Sequence, residues 1–509
     1  MRTLKLCFVL VTLIMSCKNK TSITLENGLL INNATILTPD ENGYSSFKGN
    51  IIIDNDKIVK VTKDEYIING DFHTISGKGK YIIPGLIDSH VHLASIAGMG
   101  WRHKKKYPDL AKAYYNQLPK SYLYFGYTTL IDVNNYNPNV INGILRKTVR
   151  PDIYTCGDQI VVAHDLMMNE TPAEDRFIEH PHFLHDKYNE NVEIPTDIDL
   201  SKHTPKTLVS RIVDENEGIC VKTLYEDGFG GTEELTWELP SKEIIIEIVA
   251  EAHSQGVPVL LHANAYEAQK FGLETGIDVF AHGMWHWGKL ADYLNIKELP
   301  ETHKNLLIEI ANKKIGYQPT IRVVGGQKDV FNVNFLENLD LQHVYPEDQL
   351  NWLNTLEGKW QEQNIRKYAK SFFDGLTNEE IMTLLQKVVD KVEIATNTLA
   401  EHDANLIFGT DTPAANTHTM PPGLNGYLEM QKWQQSGVSL EQILLAATYN
   451  NAKVFNLDDK YGSIEETKVA NLLLLDKNPL ETIEAYNSIE KVIVRGQLLN
   501  RENLSATHN

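Results

Sequence analysis

Four cysteines in 509 residues, none in a Cys-x-x-Cys spacing, are too few to staple a fold of this size. That scarcity excludes a disulfide framework and a zinc finger. Basic charge is also short. The 48 Lys and Arg face 67 Asp and Glu, and the formal charge of −19 carries no basic stripe. Such a surface repels a phosphate backbone and rules out nucleic acid as a partner. Long apolar runs are missing beyond Met15, so no later segment reaches the ~20 residues that span a bilayer. Repeats of fixed period and low-complexity tracts are absent too, which excludes solenoid arrays.

What remains is the composition of a soluble globular protein, 42% hydrophobic and 23% charged, with enough chain for one large domain and a smaller one. The N-terminus stands apart. In "MRTLKLCFVLVTLIMSC", Arg2 and Lys5 precede an apolar run that ends at Met15, the pattern of a cleaved secretory signal over residues 1–16. Ser16 and Cys17 resemble the lipobox of bacterial lipoproteins. The resemblance implies lipidation of Cys17, a tether over 17–24, and an exported chain anchored by lipid to a bacterial membrane, in the periplasm or at the cell surface. Cys156 and Cys220 each lie in apolar, strand-like surroundings. They read as buried free thiols, with a bridge open to them only in an oxidising compartment.

Residues 25–82 read as strands and turns, with Asp54-Asn55-Asp56-Lys57 between two β-rich runs as a hairpin. The end of the chain, 455–509, has the same character in "VANLLLLD" and "IEKVIVRGQLLN". Two β-rich ends around a long middle predict one small β-sandwich domain built from both. The middle, 83–454, alternates short apolar runs with helical stretches, which predicts an α/β fold of the (β/α)8 TIM-barrel type. The eight runs are "IIPGLIDSHVH", "YTTLIDV", "DIYTCG", "ICVKTL", "VPVLLH", "DVFAH", "IGYQPTI" and "NLIFGTD". Ser241 is placed to cap the helix before "VPVLLH", and His253 to serve its last turn. Two connections are long: 158–217, which suggests a lid, and 325–400, which reads as largely helical.

Active sites of such barrels form where the strands end. His90 and His92 stand two apart at the end of the first run, so their side chains leave a strand on the same face. The fourth run carries Lys222, the fifth ends in His262, the sixth in His282 and the eighth in Asp411. Four imidazoles, one carboxylate and one lysine at one barrel mouth are hard to account for by packing, and they are what divalent metal ions require.

This set, in "PGLIDSHVH", "CVKTL", "LLHAN", "FAHGM" and "GTDTP", resembles the amidohydrolase superfamily, and the C-terminal "GSIEETKVANLLLLDKNPL" is similar to its return to the small domain, with Asn471 where an aspartate is usual. The resemblance implies two divalent metals, zinc first among zinc, manganese, cobalt and iron. His90, His92 and Asp411 would hold one, His262 and His282 the other, and a carbamate formed on Lys222 from carbon dioxide would bridge them. A bridging hydroxide would then attack a carbon–nitrogen bond, with Asp411 as the catalytic proton shuttle. Deaminases of this fold usually carry a glutamate three residues after the fifth-strand histidine. Ala265 stands there, which counts against deamination.

The nearest resemblance is to the prolidase-like and imidazolonepropionase-like branch. By that likeness His164 and Tyr225 are candidate substrate-binding residues, for a dipeptide or an N-acyl amino acid. Arg322 is a candidate for a substrate carboxylate or, more commonly, a surface ion pair. Trp285, His286 and Trp287 would form either a substrate wall or loop packing. Phosphotriester or lactone hydrolysis is the alternative reaction, and a surface lipoprotein that binds without catalysis is the alternative class. The partners expected are a small-molecule substrate and, through the lipid, a membrane.

Overall fold

The computed structural model describes residues 22–508; the signal segment, Cys17 and the first residues of the tether lie outside the described residues. Five strands open the chain: β1 (Ser22–Asp40), β2 (Gly43–Asp54), β3 (Lys57–Thr62), β4 (Ile67–Ser76) and β5 (Tyr81–Pro84). β2 and β3 form an antiparallel hairpin in which Asp54 faces Lys57. Asn55 takes a φ of 53° in its turn, a conformation that asparagine tolerates because its short amide bonds locally.

Seven of the eight apolar runs form parallel strands: β6 (Leu86–Val91), β7 (Tyr127–Asp132), β8 (Asp152–Thr155), β9 (Val221–Leu224), β10 (Val259–His262), β11 (Val279–Ala281) and β12 (Gly316–Gln318). They pair in chain order as one three-stranded and one four-stranded sheet, with helices such as Pro108–Tyr124 and Lys242–Ser254 between them. The helix Lys242–Ser254 shows how the sequence sets this. The Ser241 hydroxyl accepts from Ile244 N at 3.2 Å, and Ile244, Ile245, Ile248, Val249 and Ala252 form one buried stripe at helical spacing. His253 stands in the last turn of this helix. Its Nε2 pairs with Asp278 at 2.9 Å, because that carboxylate lies across from it at the foot of β11.

The eighth run, 405–411, forms no regular strand but joins both sheets. Ile407 N donates to Tyr317 O at 3.0 Å on one side, and Ser89 N donates to Phe408 O at 3.0 Å on the other. Between β8 and β9, Ile219 N donates to Thr155 O at 2.9 Å. Beside that bond Cys156 and Cys220 are joined in a disulfide, which corrects the reading of two free thiols. Both are fully buried. One follows the end of β8 and the other precedes β9, so 64 residues of sequence separation conceal a Cα–Cα distance of 4.4 Å.

The chain closes with β13 (Leu472–Leu475), β14 (Ile489–Val494) and β15 (Gln497–Asn500), which join β1–β5 in a single eight-stranded mixed sheet through the β5–β13 pairing. β13 is buried throughout. Leu472 and Leu474 pack into the core of the end sheet, and Leu473 and Leu475 into the large core around the parallel strands. The alternation of a strand thus makes four leucines the joint between the two cores. Asn471 adds a polar tie. Its Nδ2 donates to Asp152 at the start of β8 at 2.9 Å, and its Oδ1 accepts from Arg495 N at 2.7 Å. An aspartate could not make the first bond without taking up a proton.

The 325–400 connection contains the longest helix, Asn378–Glu401, opened by a capping box between Thr377 and Glu380. The 158–217 connection begins with short helical turns over a small cluster of Ala163, Met168 and Phe183 and ends in a helical stretch over 205–215 whose Leu208, Val209 and Ile212 join the large core. Among the described residues no helix is long and apolar enough to cross a membrane.

The disulfide closes a loop of 64 residues between β8 and β9, and a loop of that length is expected to contribute about 2–4 kcal/mol by restricting the unfolded chain. Urea unfolding of the Cys156→Ser/Cys220→Ser variant should give a stability lower by that amount than the oxidised parent. Equal midpoints would mean that the bridge does not form.

Candidate metal centre

β6 has no exposed residue, the pattern of a parallel strand covered on both faces. Its entry is tight. A Cβ on Gly85 would stand 2.0 Å from Thr128 Oγ1, so only glycine fits after Pro84. Asp88, pushed up to about 7 by burial against its hydrogen bonds, accepts from Thr410 Oγ1 at 2.7 Å, Thr410 N at 3.1 Å and His90 N at 3.2 Å. Asp411 N donates to His90 O at 2.7 Å, and His92 N to Thr412 O at 2.8 Å. Asn451 binds the same seam from outside, accepting from Ser89 Oγ and donating to the carbonyls of Ile87 and Phe408.

This stitching brings His90, His92 and Asp411 together, with one donor atom from each within 4.8 Å of the others. Asp411 Oδ1 lies 2.8 Å from His92 Nε2 and 3.4 Å from His90 Nε2. Asp411 holds a φ of 56°, a left-handed conformation that costs a non-glycine residue of order 1 kcal/mol and recurs at functional sites. Burial would raise its carboxyl, but the electrostatic pull of its surroundings (His90, the hydrogen bond from His92 and the Lys222 amine) outweighs that and holds it at about 2. Burial would likewise lower His92, yet its bond to Asp411 leaves it raised.

The remaining imidazoles follow in a chain. Ring centroids are 5.0 Å apart for His90 and His282 and 4.5 Å for His282 and His262. Burial, with neighbouring positive groups, keeps His90 and His282 well below the usual imidazole range, so both are neutral, the form that ligates a cation.

Three of the four imidazoles have a partner that orients them. His90 Nδ1 meets Gln318 Oε1 at 3.0 Å, His282 Nδ1 meets Thr320 Oγ1 at 3.1 Å, and His262 Nε2 meets Glu226 Oε2 at 3.1 Å. The Gln318 oxygen can only accept, so His90 donates from Nδ1 and leaves Nε2 free for a cation. By the same logic His262 donates to the Glu226 carboxylate and keeps Nδ1 free. Glu226, bonded also by Asn264 Nδ2 at 2.6 Å and Phe229 N at 2.8 Å, stays below the usual carboxylate range although burial opposes it. Gly409 belongs to the same construction, since a Cβ there would stand 2.8 Å from both His90 Cβ and Gln318 Nε2.

Lys222 is 3% exposed and its Nζ has no hydrogen-bond partner. Burial pushes the amine down to about 7, against the pull of Asp411. An orphaned amine among neutral imidazoles and one carboxylate is an incomplete polar cluster, and the donor set fits a divalent metal centre.

Other candidates lie elsewhere. His164 is committed to the 158–217 connection, with Nε2 on Glu193 O at 2.9 Å and Arg176 at 3.4 Å from Nδ1. Tyr225 packs on Phe271 at 4.3 Å between ring centroids, its backbone N–H bonded to His262 O and its hydroxyl without a hydrogen bond among the described residues. Neither His164 nor Tyr225 makes a side-chain bond to the imidazole chain. Arg322 is not available to a substrate carboxylate, nor is it on the surface. It is buried and fully engaged by Asp329, Asn425 Oδ1 and Thr419 O. Trp285 lies beside His282 at 4.9 Å, whereas Trp287 packs away under Lys391.

Sequence reading missed the orienting residues Gln318, Thr320, Glu226 and Asn264. The available signal was position: Glu226 follows Lys222 by four residues, and Gln318 and Thr320 close the seventh run.

The Amidohydrolase family model matches residues 81–292 and 344–499, more than half of the chain. The chain belongs to the amidohydrolase family. Among curated relatives, it is 26% identical over 211 residues to a 5-methylthioadenosine/S-adenosylhomocysteine deaminase of Bacillus cereus (strain AH820), covering 37% of this chain and 46% of that protein. The chain thus spans about half the length of the curated relatives it matches. Among solved structures it is similar to a Xaa-Pro dipeptidase with bound methionine, at 19% identity and a TM-score of 0.60, over 93% of this chain and all of that one. It is also similar to molinate hydrolase, at 18% and 0.62, over 94% and 96%, and to A. niger ochratoxinase, at 17% and 0.61, over the same shares. At these identities the structures attest the fold. Family membership supports metal-dependent hydrolysis in general terms.

The Lys222 amine makes a testable demand on stability. With its proton lost near 7 in the fold and near 10.5 in the unfolded chain, the unfolded state holds the extra proton between those values. Stability therefore rises with pH across that window, and below it the buried lysine costs the fold its full penalty. Metal-free, bicarbonate-free Lys222→Met should be more stable than the parent at pH 7 by on the order of 3 kcal/mol in chemical denaturation. The gap should close toward pH 10.5. A variant no more stable at pH 7 would show that the amine is not desolvated.

Proposed function

We propose that this amidohydrolase cleaves the carbon–nitrogen bond of a small substrate, a dipeptide or an N-acyl amino acid, at a two-metal centre. The observation that carries the reading is the buried, unpartnered Lys222 Nζ among His90, His282 and Asp411. An amine near neutrality can add carbon dioxide as a carbamate, which supplies the anionic oxygens this cluster lacks. His90, His92 and Asp411 would hold one divalent ion, His262 and His282 the other, and the carbamate would be shared, with zinc the first choice of metal. When bound, the ions supply the Lewis acidity that activates water and polarises the scissile carbonyl.

The chain's own residues do the rest. Asp411, anionic at neutral pH, takes the proton of the attacking water on its carboxylate and delivers it to the leaving nitrogen. Gln318, Thr320 and Glu226 hold three imidazoles in one orientation each, so little reorganisation accompanies reaction. The free Tyr225 hydroxyl, one residue before Glu226, would orient substrate. A (β/α)8 barrel with 405–411 as its eighth stave is supported by the bonds of that segment to β12 and β6, and both chain ends form one mixed sheet beside it rather than two separate sheets. Export and a lipid on Cys17 fit the disulfide, which requires an oxidising compartment.

Deamination is the second reading, favoured by the curated relatives. Against it, Ala265 cannot move a proton, and Glu226 is held as an anion by His262, a poor state for a proton donor.

The test is elemental analysis of protein reconstituted with zinc and bicarbonate, beside turnover of dipeptides, N-acyl amino acids and aminopurines. About two metals per chain and release of an amino acid are expected. Asp411→Asn should keep at least one metal and lose about 1000-fold or more in kcat, the scale on which general acid–base groups act. Release of ammonia from aminopurines alone would favour deamination, and no bound metal would overturn both.

A further inference from the structure

Glu226 faces the metal centre, and its neighbour Asp227 lines a cavity of about 310 Å3 together with Tyr266, Glu267, Trp287, Tyr293 and His303. The walls come from the segments that follow β9, β10 and β11, so the cavity lies on the strand-end side of the molecule, as the metal centre does. It is closely built. A Cβ on Gly288 would stand 2.6 Å from the Tyr293 ring, and one on Gly230 would stand 2.8 Å from Gly288 O. Both glycines hold positive φ, 136° and 75°. The Tyr266 and His303 rings stack at 4.0 Å, and His303 is 5.8 Å from Tyr293 and 6.2 Å from Trp287.

Asp227 is 9% exposed, and among the described residues no Lys, Arg or His pairs with it. Its Oδ1 accepts from Gly230 N at 2.7 Å. Burial first, then the neighbouring Glu226 charge, push it up to about 6, so it is an anion at neutral pH without a counter-ion. His303 does not serve as one. Its Nε2 lies 2.6 Å from Trp287 O, its Nδ1 lies 3.1 Å from Thr302 Oγ1, and burial lowers it to the neutral form. Lys270 sits 3.7 Å from Glu267 on the outside, and Lys391 donates to Ile296 O while covering the Trp287 ring at 4.5 Å. The Trp287 indole N–H is buried and has no partner. Buried carboxylates are ordinarily paired, and electron-rich ring faces attract cations most strongly where water is excluded.

We infer that this cavity binds a small organic cation, an ammonium or guanidinium group, with Asp227 as its counter-ion and Tyr266 and Tyr293 as its aromatic walls. The volume is at the lower end of ligand sites and suits a compact group. The cation could belong to the hydrolysed substrate or to a separate molecule, since the recognition chemistry is the same. The inference rests on the cavity alone and stands or falls independently of the hydrolytic reading.

The experiment titrates the full, metal-loaded chain with choline, with guanidinium and with the neutral tert-butyl analogue of choline, followed by calorimetry and tryptophan fluorescence. Saturable binding of choline or guanidinium is expected, with the neutral analogue weaker by about tenfold or more. Asp227→Asn, which retains an acceptor for Gly230 N, should weaken the cation about tenfold and leave the neutral analogue unchanged. Tyr293→Leu should weaken the cation as well. Competition between choline and a hydrolysed substrate would place the cation on that substrate; binding without competition would make it a separate ligand. Equal binding of choline and its neutral analogue, no saturation by either cation, or an Asp227→Asn protein that binds choline like the parent would overturn the inference.

Discussion

The hydrogen-bonded seam between β6 and the segment 405–412 is the constraint on which the rest of the molecule depends. Asp88 sits at its centre, accepting from backbone and side chain of Thr410 and from His90 N. Removing it would leave several buried donors unpaired, each at a cost of about 1–3 kcal/mol. Through this seam residues more than 300 positions apart place three potential ligands within a few ångströms of each other, and the parallel strands gain a neighbour for β6 that comes from the far end of the chain.

Around that seam the site is organised at a cost to the fold. Lys222 is buried without a partner, Asp411 and His282 hold positive φ angles, and His90 and His282 are dry and neutral. None of these is what stability alone would select. They persist because the surroundings over-determine them: the β13 leucines join two cores, the Cys156–Cys220 bridge joins β8 to β9, and each imidazole of the cluster but one carries its own orienting partner.

The acidic pair Glu226–Asp227 shows how one short segment serves two environments. Glu226 turns toward His262 and Asn264 and is compensated there, whereas Asp227 lines an aromatic cavity and is not. A change at either residue is therefore felt at both places, since each raises the cost of ionising the other.

Much of this was legible in the chain itself. His90 and His92 stand two apart at the end of an apolar run, and Lys222, His262, His282 and Asp411 sit at or near the ends of others, because strand periodicity and strand termini are local properties written in short windows. The β-rich character of both ends and the cap at Ser241 are local in the same way. What only the tertiary structure decided is which distant residues meet. The pairing of Cys156 with Cys220, the engagement of Arg322 by Asp329, Asn425 and Thr419, the pull of Asp278 on His253, and the roles of Gln318, Thr320 and Glu226 behind the imidazoles all depend on side chains from separate elements arriving at one point. Hydrogen bonds and ion pairs act over about 3 Å, whatever number of residues lies between the partners, so a linear pattern reveals the groups that seek partners and the fold alone supplies them.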